Sequence, residues 1–144
     1  MAATARQRMF MQITGLTAGR NAEIGDEAVF ASFTPTNGEV FTTSAVVADG
    51  GSQVNLWNTT EGGLATFEHM VIVSDKEITI ELSDGSESFT VSLKAGMFFS
   101  CGGQLFVDMA ASSVDTMGDI DQIQVKRNVA DGVGDAFVQM LLVG

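Results

Sequence analysis

Few residues in this chain have side chains suited to catalysis: histidine and cysteine each occur once, as His69 and Cys101. A thiol nucleophile requires a base within hydrogen-bonding reach, and nothing in the spacing of these two residues indicates that they meet. A single histidine also excludes the multi-histidine metal sites of cupin-type jelly rolls. The sequence lacks the G-x-S-x-G, P-loop and dinucleotide-binding motifs. We therefore expect a protein that is not an enzyme and has no catalytic residues.

Carboxylates offer one further kind of chemistry. Asp115, Asp119 and Asp121 lie close together, and Asp131 and Asp135 flank a Gly-Val-Gly segment. Oxygen ligands on loops suit Ca²⁺, but the spacing lacks the alternating ligands and terminal glutamate of an EF-hand loop. Loop aspartates more commonly cap turns through nearby backbone amides. We expect no metal and no cofactor, and calcium at these loops is left as an open alternative.

Trp57 is the one tryptophan, and Asn55 and Asn58 lie on either side of it. An aromatic face beside side-chain amides suits sugar stacking. Saccharide sites usually draw on several polar aromatic residues, however, and this chain contains no tyrosine. A tryptophan in the core or in an interface is the favoured interpretation. A carbohydrate-binding β-sandwich module centred on Trp57 remains the alternative function.

The charge distribution argues against a nucleic-acid partner, and the lengths of the apolar runs argue against a membrane helix. The net charge is −11, and between Asn21 and Asp75 there are eight acidic residues and no lysine or arginine. Such a surface repels phosphate backbones, which argues against nucleic-acid binding. No run approaches the roughly 18 to 20 apolar residues of a membrane helix, and Met1 to Arg20 has no uninterrupted apolar core of a secretory signal. Arg6 and Arg8 lie in a polar start that we predict to be a flexible arm over residues 1–9, before a single β domain over residues 10–144.

Short apolar segments recur about every ten residues between clusters of Gly, Asn and Asp, and no sustained helical stripe occurs. This pattern predicts an all-β fold, an antiparallel β-sandwich or jelly-roll-like barrel with β-hairpins. The predicted strands are Met9 to Leu16, Ala28 to Phe33, Val40 to Val47, Gln53 to Trp57, Ala65 to Ser74, Glu77 to Ser83, Glu87 to Lys94, Met97 to Ser100, Gln104 to Asp108, Asp121 to Arg127 and Asp135 to Val143.

Asp84-Gly85 is the clearest turn signal, because Asp-Gly between alternating runs favours a two-residue type I′ hairpin. That turn predicts Ile80 opposite Phe89, in a hairpin with one apolar face and one polar face. Asn37-Gly38 predicts a second hairpin, joining Val29 to Phe33 with Val40 to Thr43. A tight connection at Asp75-Lys76 would make three consecutive strands, from about Thr66 to Lys94, into a meander.

The last strand is apolar at successive positions, which predicts a place in the middle of a sheet or in an interface. Phe137, Leu141 and Val143 are the candidate interaction residues of this segment. Phe98 and Phe99 are adjacent and so point to opposite faces of a strand. Covering both faces of several strands in so small a chain is easiest if subunits pack together, so we expect a homo-oligomer.

The segments from Ala65 onward resemble the small β-sandwich virion proteins of tailed bacteriophages, especially capsid decoration or cement proteins. The residues that carry this resemblance are Phe67 to Val73, the Ile78 to Leu93 hairpin, Leu93 to Gly96, Ile120 to Val125 and the closing Ala136 to Gly144.

The resemblance implies a homotrimer that binds the major capsid protein from outside and stabilises the head lattice. It also implies a protein made in the host cytoplasm and located on the outer capsid surface. Arg6 and Arg8 would then lie on an arm that reaches a neighbouring subunit, and Trp57 is a further candidate for contact.

Overall fold

The computed structural model describes residues 39–60, 64–102, 120–127 and 134–144, together with four short strands within the first 33 residues. The chain divides into two compact units, Met1–Gly38 and Glu39–Gly144. In the first unit, β1 (Ala5–Gln7) pairs with β4 (Ala31–Phe33), and β2 (Met11–Ile13) pairs with β3 (Ala22–Ile24). Both pairs are antiparallel.

The described residues of the second unit form two four-stranded antiparallel sheets. Sheet one has the strand order β10-β7-β12-β5, and sheet two has the order β6-β11-β8-β9. The described residues contain no helix, so none could span a membrane as a helix. The all-β prediction is confirmed. The strand bounds are β5 Val40–Val47, β6 Val54–Asn58, β7 His69–Ser74, β8 Ile78–Ser83, β9 Ser88–Leu93, β10 Phe98–Gly102, β11 Gln122–Lys126 and β12 Ala136–Val143.

Side chains from the inner faces of both sheets form one hydrophobic core. Alternate residues of each strand point inward because the side-chain period of a strand is two. Sheet one contributes Ile72, Met140 and Leu142 to the core, and sheet two contributes Ile80 and Ile123. The unit is therefore a β-sandwich.

The β8–β9 hairpin forms, but its register differs from the prediction by two residues. Ile80 lies opposite Val91, not Phe89, because the loop holds four residues between the Ser83–Ser88 pair. A type I′ turn requires positive φ at both central residues, and only Gly85, at 86°, has it. The Asp84 carboxylate instead accepts hydrogen bonds from the amides of Ser86 at 2.9 Å and Glu87 at 2.7 Å. A two-residue shift leaves every side chain on the same face of the hairpin, so the apolar and polar faces are as predicted.

The predicted meander is wrong, because β7 and β8 belong to different sheets. β10 and β12 occupy both edges of β7, which leaves no edge for β8. β7 also begins at His69, not at Ala65. The Asn37-Gly38 turn lies outside the described residues, and the strands on either side of it pair elsewhere, β4 with β1 and β5 with β12. The predicted strand over Gln104 to Asp108 also lies outside them.

The last strand lies in the interior of sheet one, as predicted, with β7 on one side and β5 on the other. Only one of its faces is buried, because Val138, Met140 and Leu142 enter the core while Phe137 and Leu141 point outward and are partly exposed.

Candidate interaction surface

The outer face of sheet one is the most distinctive surface of the sandwich. Strand pairing places the outward residues in rows across the sheet, and one row is Phe98, Val73, Gln139 and Ser44. A neighbouring row contains Leu141, between Val71 and Thr42. We call this outer face of sheet one the apolar face.

The exposed large hydrophobic side chains of the described residues all lie on the apolar face or at its rim. Six are outward strand residues, and the seventh, Met97, precedes β10 at the edge. A monomer normally scatters its exposed apolar residues, whereas a continuous apolar group marks a binding surface. Their exposed fractions are Val40 62%, Val46 63%, Val73 37%, Met97 55%, Phe98 46%, Phe137 46% and Leu141 38%.

The apolar face also lacks charge. No outward strand position of sheet one holds Asp, Glu, Lys or Arg, although the chain carries a net charge of −11. The outer face of sheet two differs, because its rows hold Glu81, Gln122, Gln124, Thr90 and Lys126. The outer face of sheet two is thus suited to contact with solvent, whereas the apolar face is suited to contact with a protein partner.

An open cleft of about 330 Å³ lies at one end of the apolar face. Val73, Met97, Phe98 and Phe137 supply its apolar walls. Asp75 is the charged residue in the lining, and its carboxylate accepts a hydrogen bond from the amide of Phe137 at 2.7 Å. The cleft is therefore suited to an apolar side chain of a partner.

His69 lies toward the other end, where its Nε2 is 3.1 Å from Ser100 Oγ on the adjacent strand. Partial burial lowers the pKa of the His69 imidazole below its ordinary value of 6.5. This shift favours the neutral form of the imidazole, the form that leaves the apolar face uncharged.

Cys101 and His69 lie on opposite faces of sheet one. Cys101 is paired with the buried Met70 and points into the core, whereas His69 is on the outer face. Burial raises the pKa of the Cys101 thiol to about 12, so the thiol stays protonated at neutral pH. These two residues do not form a nucleophile–base pair.

Trp57 is fully buried in the core. Its Nε1–H donates a hydrogen bond to the Leu64 carbonyl at 3.2 Å, and its ring meets Phe67 edge to face with centroids 5.4 Å apart. No ring face is open to a sugar, so the hypothesis of a saccharide platform at Trp57 is wrong. The core interpretation is confirmed.

The other predicted site residues divide between the surface, the core and the part of the chain that is not described. Phe137 and Leu141 lie on the apolar face, whereas Val143 is buried. Arg6 lies in β1, with no described side chain, and Arg8 lies outside the described residues.

The aspartate groups do not form a described site. Asp115, Asp119 and Asp131 lie outside the described residues, and those described contain no group of three or more His, Cys, Asp or Glu placed to hold a metal ion. Asp49 and Arg127 instead form a buried ion pair, with Arg127 Nε 3.4 Å from Asp49 Oδ1. Asp135 accepts a hydrogen bond from the Asp49 amide. This cluster joins the segment after β5 to the start of β12 and is structural.

Sequence reasoning missed five members of the apolar face, namely Val40, Val46, Val73, Met97 and Phe98, as interaction candidates. The adjacent Phe98 and Phe99 did carry a signal, since one of the two must point away from the core. The remaining members could be found only from strand pairing, because alternation alone does not identify which strands are neighbours. Comparison with known proteins found no matching family model, no matching curated protein and no matching solved structure.

Proposed function

We propose that this protein is a non-enzymatic structural component of a bacteriophage virion, a capsid decoration or cement protein. It binds the major capsid protein on the outer surface of the head as a homo-oligomer, with a trimer as the favoured number. The observation that supports this proposal is the apolar face, an uncharged surface on a strongly acidic protein.

The size of the apolar face favours binding through several copies. The four strands of sheet one contain 27 residues, which at about 3.4 Å rise and about 4.8 Å strand spacing give a face of about 440 Å². A standard stable interface buries about 800 Å² on each partner, so a single face makes a weak contact. A symmetric oligomer presents several such faces to a repeating lattice, and the linked contacts multiply in strength. A capsid is a lattice of this kind.

The absence of charge on the apolar face favours a protein partner over a nucleic acid or an anionic membrane. Nucleic acids and anionic lipids are recognised by clustered Lys and Arg. The apolar face has neither residue at its outward strand positions. Its side chains instead gain free energy by leaving water against another apolar surface.

Co-sedimentation with empty heads tests this proposal. The heads are assembled from the major capsid protein encoded in the same genome as this chain. Gln139 lies exposed in the middle of the apolar face, and Gln139→Glu places a carboxylate there with almost no change of shape. Gln122→Glu is the matched control, because it makes the same change on the outer face of sheet two.

We expect the wild type and Gln122→Glu to sediment with the heads. Gln139→Glu should bind at least about tenfold more weakly, because the interface must desolvate a charge without a partner. A wild-type protein that stays in the supernatant contradicts the proposed function. Equal binding of all three proteins contradicts the assignment of the apolar face.

A further inference from the structure

β5 is an edge strand of unusual composition. Within the described part of the chain, β5 pairs with β12 along one edge, and no described strand pairs with its other edge. Its eight residues, Val-Phe-Thr-Thr-Ser-Ala-Val-Val, include no charge, proline or glycine. Natural proteins normally protect long edges with lysine, proline or bulges, because an unprotected edge pairs with other strands.

The hydrogen-bond pattern identifies which backbone groups of β5 face outward. Glu39 and Gly144 exchange two backbone hydrogen bonds, at 3.0 and 2.9 Å. In an antiparallel ladder such pairs alternate with pairs whose amides and carbonyls point away. The backbone groups at Val40, Thr42 and Ser44, and at Val46 after them, therefore point to the unpaired edge.

We infer that two copies of this chain associate by antiparallel pairing of β5 with β5 about a twofold axis at Thr43. This register places Val40 opposite Val46 of the second copy, and Thr42 opposite Ser44 of the second copy. The twofold axis repeats each of these residue pairs, which gives four pairs. With two hydrogen bonds in each pair, about eight new backbone hydrogen bonds form.

The pairing explains why Val40 and Val46 are the most exposed of the large hydrophobic residues. Both belong to the outward set of β5, so directly paired residues lie on the same face and their side chains meet. Each valine that is exposed in the single chain gains an apolar neighbour in the pair.

A second copy fits this edge because β5 is self-complementary about Thr43, with valine opposite valine and threonine opposite serine. Two chains that each carry a net charge of −11 repel one another, and β5 allows contact with no charged residue in the paired segment. The other edges of the two four-stranded sheets are less suitable. β10 has five residues and ends at Gly102. The pairing of β6 is interrupted by a register shift, and the exposed side chains of β9 are Ser88, Thr90 and Ser92.

Pairing also extends sheet one across both copies. A twofold axis perpendicular to the sheet keeps equivalent faces on the same side, so the two apolar faces form one surface of about 900 Å². This inference does not depend on capsid binding. The pairing gives a dimer by itself, and it joins trimers into hexamers if a threefold contact is also made.

Light scattering after size exclusion tests the pairing on the full-length chain. Ser44→Pro removes an amide that faces the unpaired edge, and an edge strand tolerates proline at such a position. Ser44→Ala retains the amide and is the matched control. We expect the wild type and Ser44→Ala to have an even number of subunits. The Ser44→Pro dimer should dissociate about 30-fold more readily, because each copy loses one amide donor and the dimer loses two hydrogen bonds. A monomer or an isolated trimer in the wild type overturns the inference.

Disulfide cross-linking gives a second test that does not require a weakened strand. Thr43 lies opposite Thr43 of the second copy in a non-hydrogen-bonded pair, whose Cα atoms are about 4.5 Å apart, within disulfide range. Oxidised Thr43→Cys should form a covalent dimer, while Thr90→Cys on the exposed side of β9 should not. The native Cys101 is buried and does not compete. No dimer from Thr43→Cys, or equal yields from both variants, overturns the inference whether or not the protein binds heads.

Discussion

Phe137 and Val46 lie directly opposite each other on neighbouring strands, and both side chains are exposed on the outer face of sheet one, by 46% and 63%. Cross-strand apolar pairs normally stabilise a sheet by excluding water on a covered face. Here the strands are paired and the adjacent inward residues Val47, Ala136 and Val138 are fully buried, yet the outer side chains remain in solvent. This arrangement is typical of a binding surface that becomes covered on assembly.

Replacement of Trp57 and Phe137 by alanine should separate core residues from surface residues. Trp57→Ala should lower the free energy of unfolding by about 3–5 kcal/mol, because it removes a fully buried ring. Phe137→Ala should lower it by only about 1 kcal/mol, because its ring is nearly half exposed. Urea denaturation measures both values. Equal losses for the two variants would contradict the assignment of Trp57 to the core.

The ion pair of Arg127 and Asp49 should behave differently from the surface pair of Lys94 and Glu77. Asp49→Ala removes the carboxylate that pairs with the buried Arg127 guanidinium. It should lower the free energy of unfolding by about 3 kcal/mol. Lys94→Ala should leave the stability almost unchanged, since both partners are mostly exposed. The urea midpoints of the two variants provide the check. A stable Asp49→Ala protein would show that the pair does not hold the end of the sandwich together.

The Cys101 thiol should be unreactive in the native protein. Its pKa is raised to about 12 by burial, so almost no thiolate is present at pH 8. Reaction with a chromogenic disulfide reagent should be slow in buffer and fast in denaturant. A thiol that reacts rapidly in the folded state would contradict its burial in the core.

His69 should make the protein less stable in mild acid. Because its folded-state pKa is lowered, the unfolded state binds a proton more readily, and stability falls as the pH drops below 6.5 toward that lowered value. Above pH 6.5 the residue makes no such contribution. Urea denaturation at pH 7.5 and pH 5.5 should show a smaller loss for His69→Gln than for the wild type. Equal losses in the two proteins would show that His69 is not the responsible group.

Residue patterns identified the strands and their faces more reliably than their partners. Alternation in β8 and β9 correctly assigned Ile80 and Val91 to the inner face, because side-chain direction depends only on local periodicity. The loop at Asp84 was misjudged by two residues, since the carboxylate forms hydrogen bonds that alternation does not reveal.

Long-range pairing was the part that the sequence did not reveal. β7 and β8 are separated by three residues, yet they lie in different sheets, because β10 and β12 occupy the edges of β7. For the same reason the apolar face was only partly foreseen. Phe137 and Leu141 stood out within one strand, whereas Val46 and Val73 join them only through strand pairing.

Side-chain footprinting on empty heads would test most directly whether the apolar face is a docking surface. Hydroxyl radicals modify exposed Met97, Phe98 and Phe137 in the free protein, whereas the buried Met140 provides an internal reference. When the protein binds heads, modification of the three exposed residues should fall severalfold, while the outer face of sheet two remains as reactive as before. Unchanged modification of all three residues on protein that is bound to heads would contradict the docking role of the apolar face.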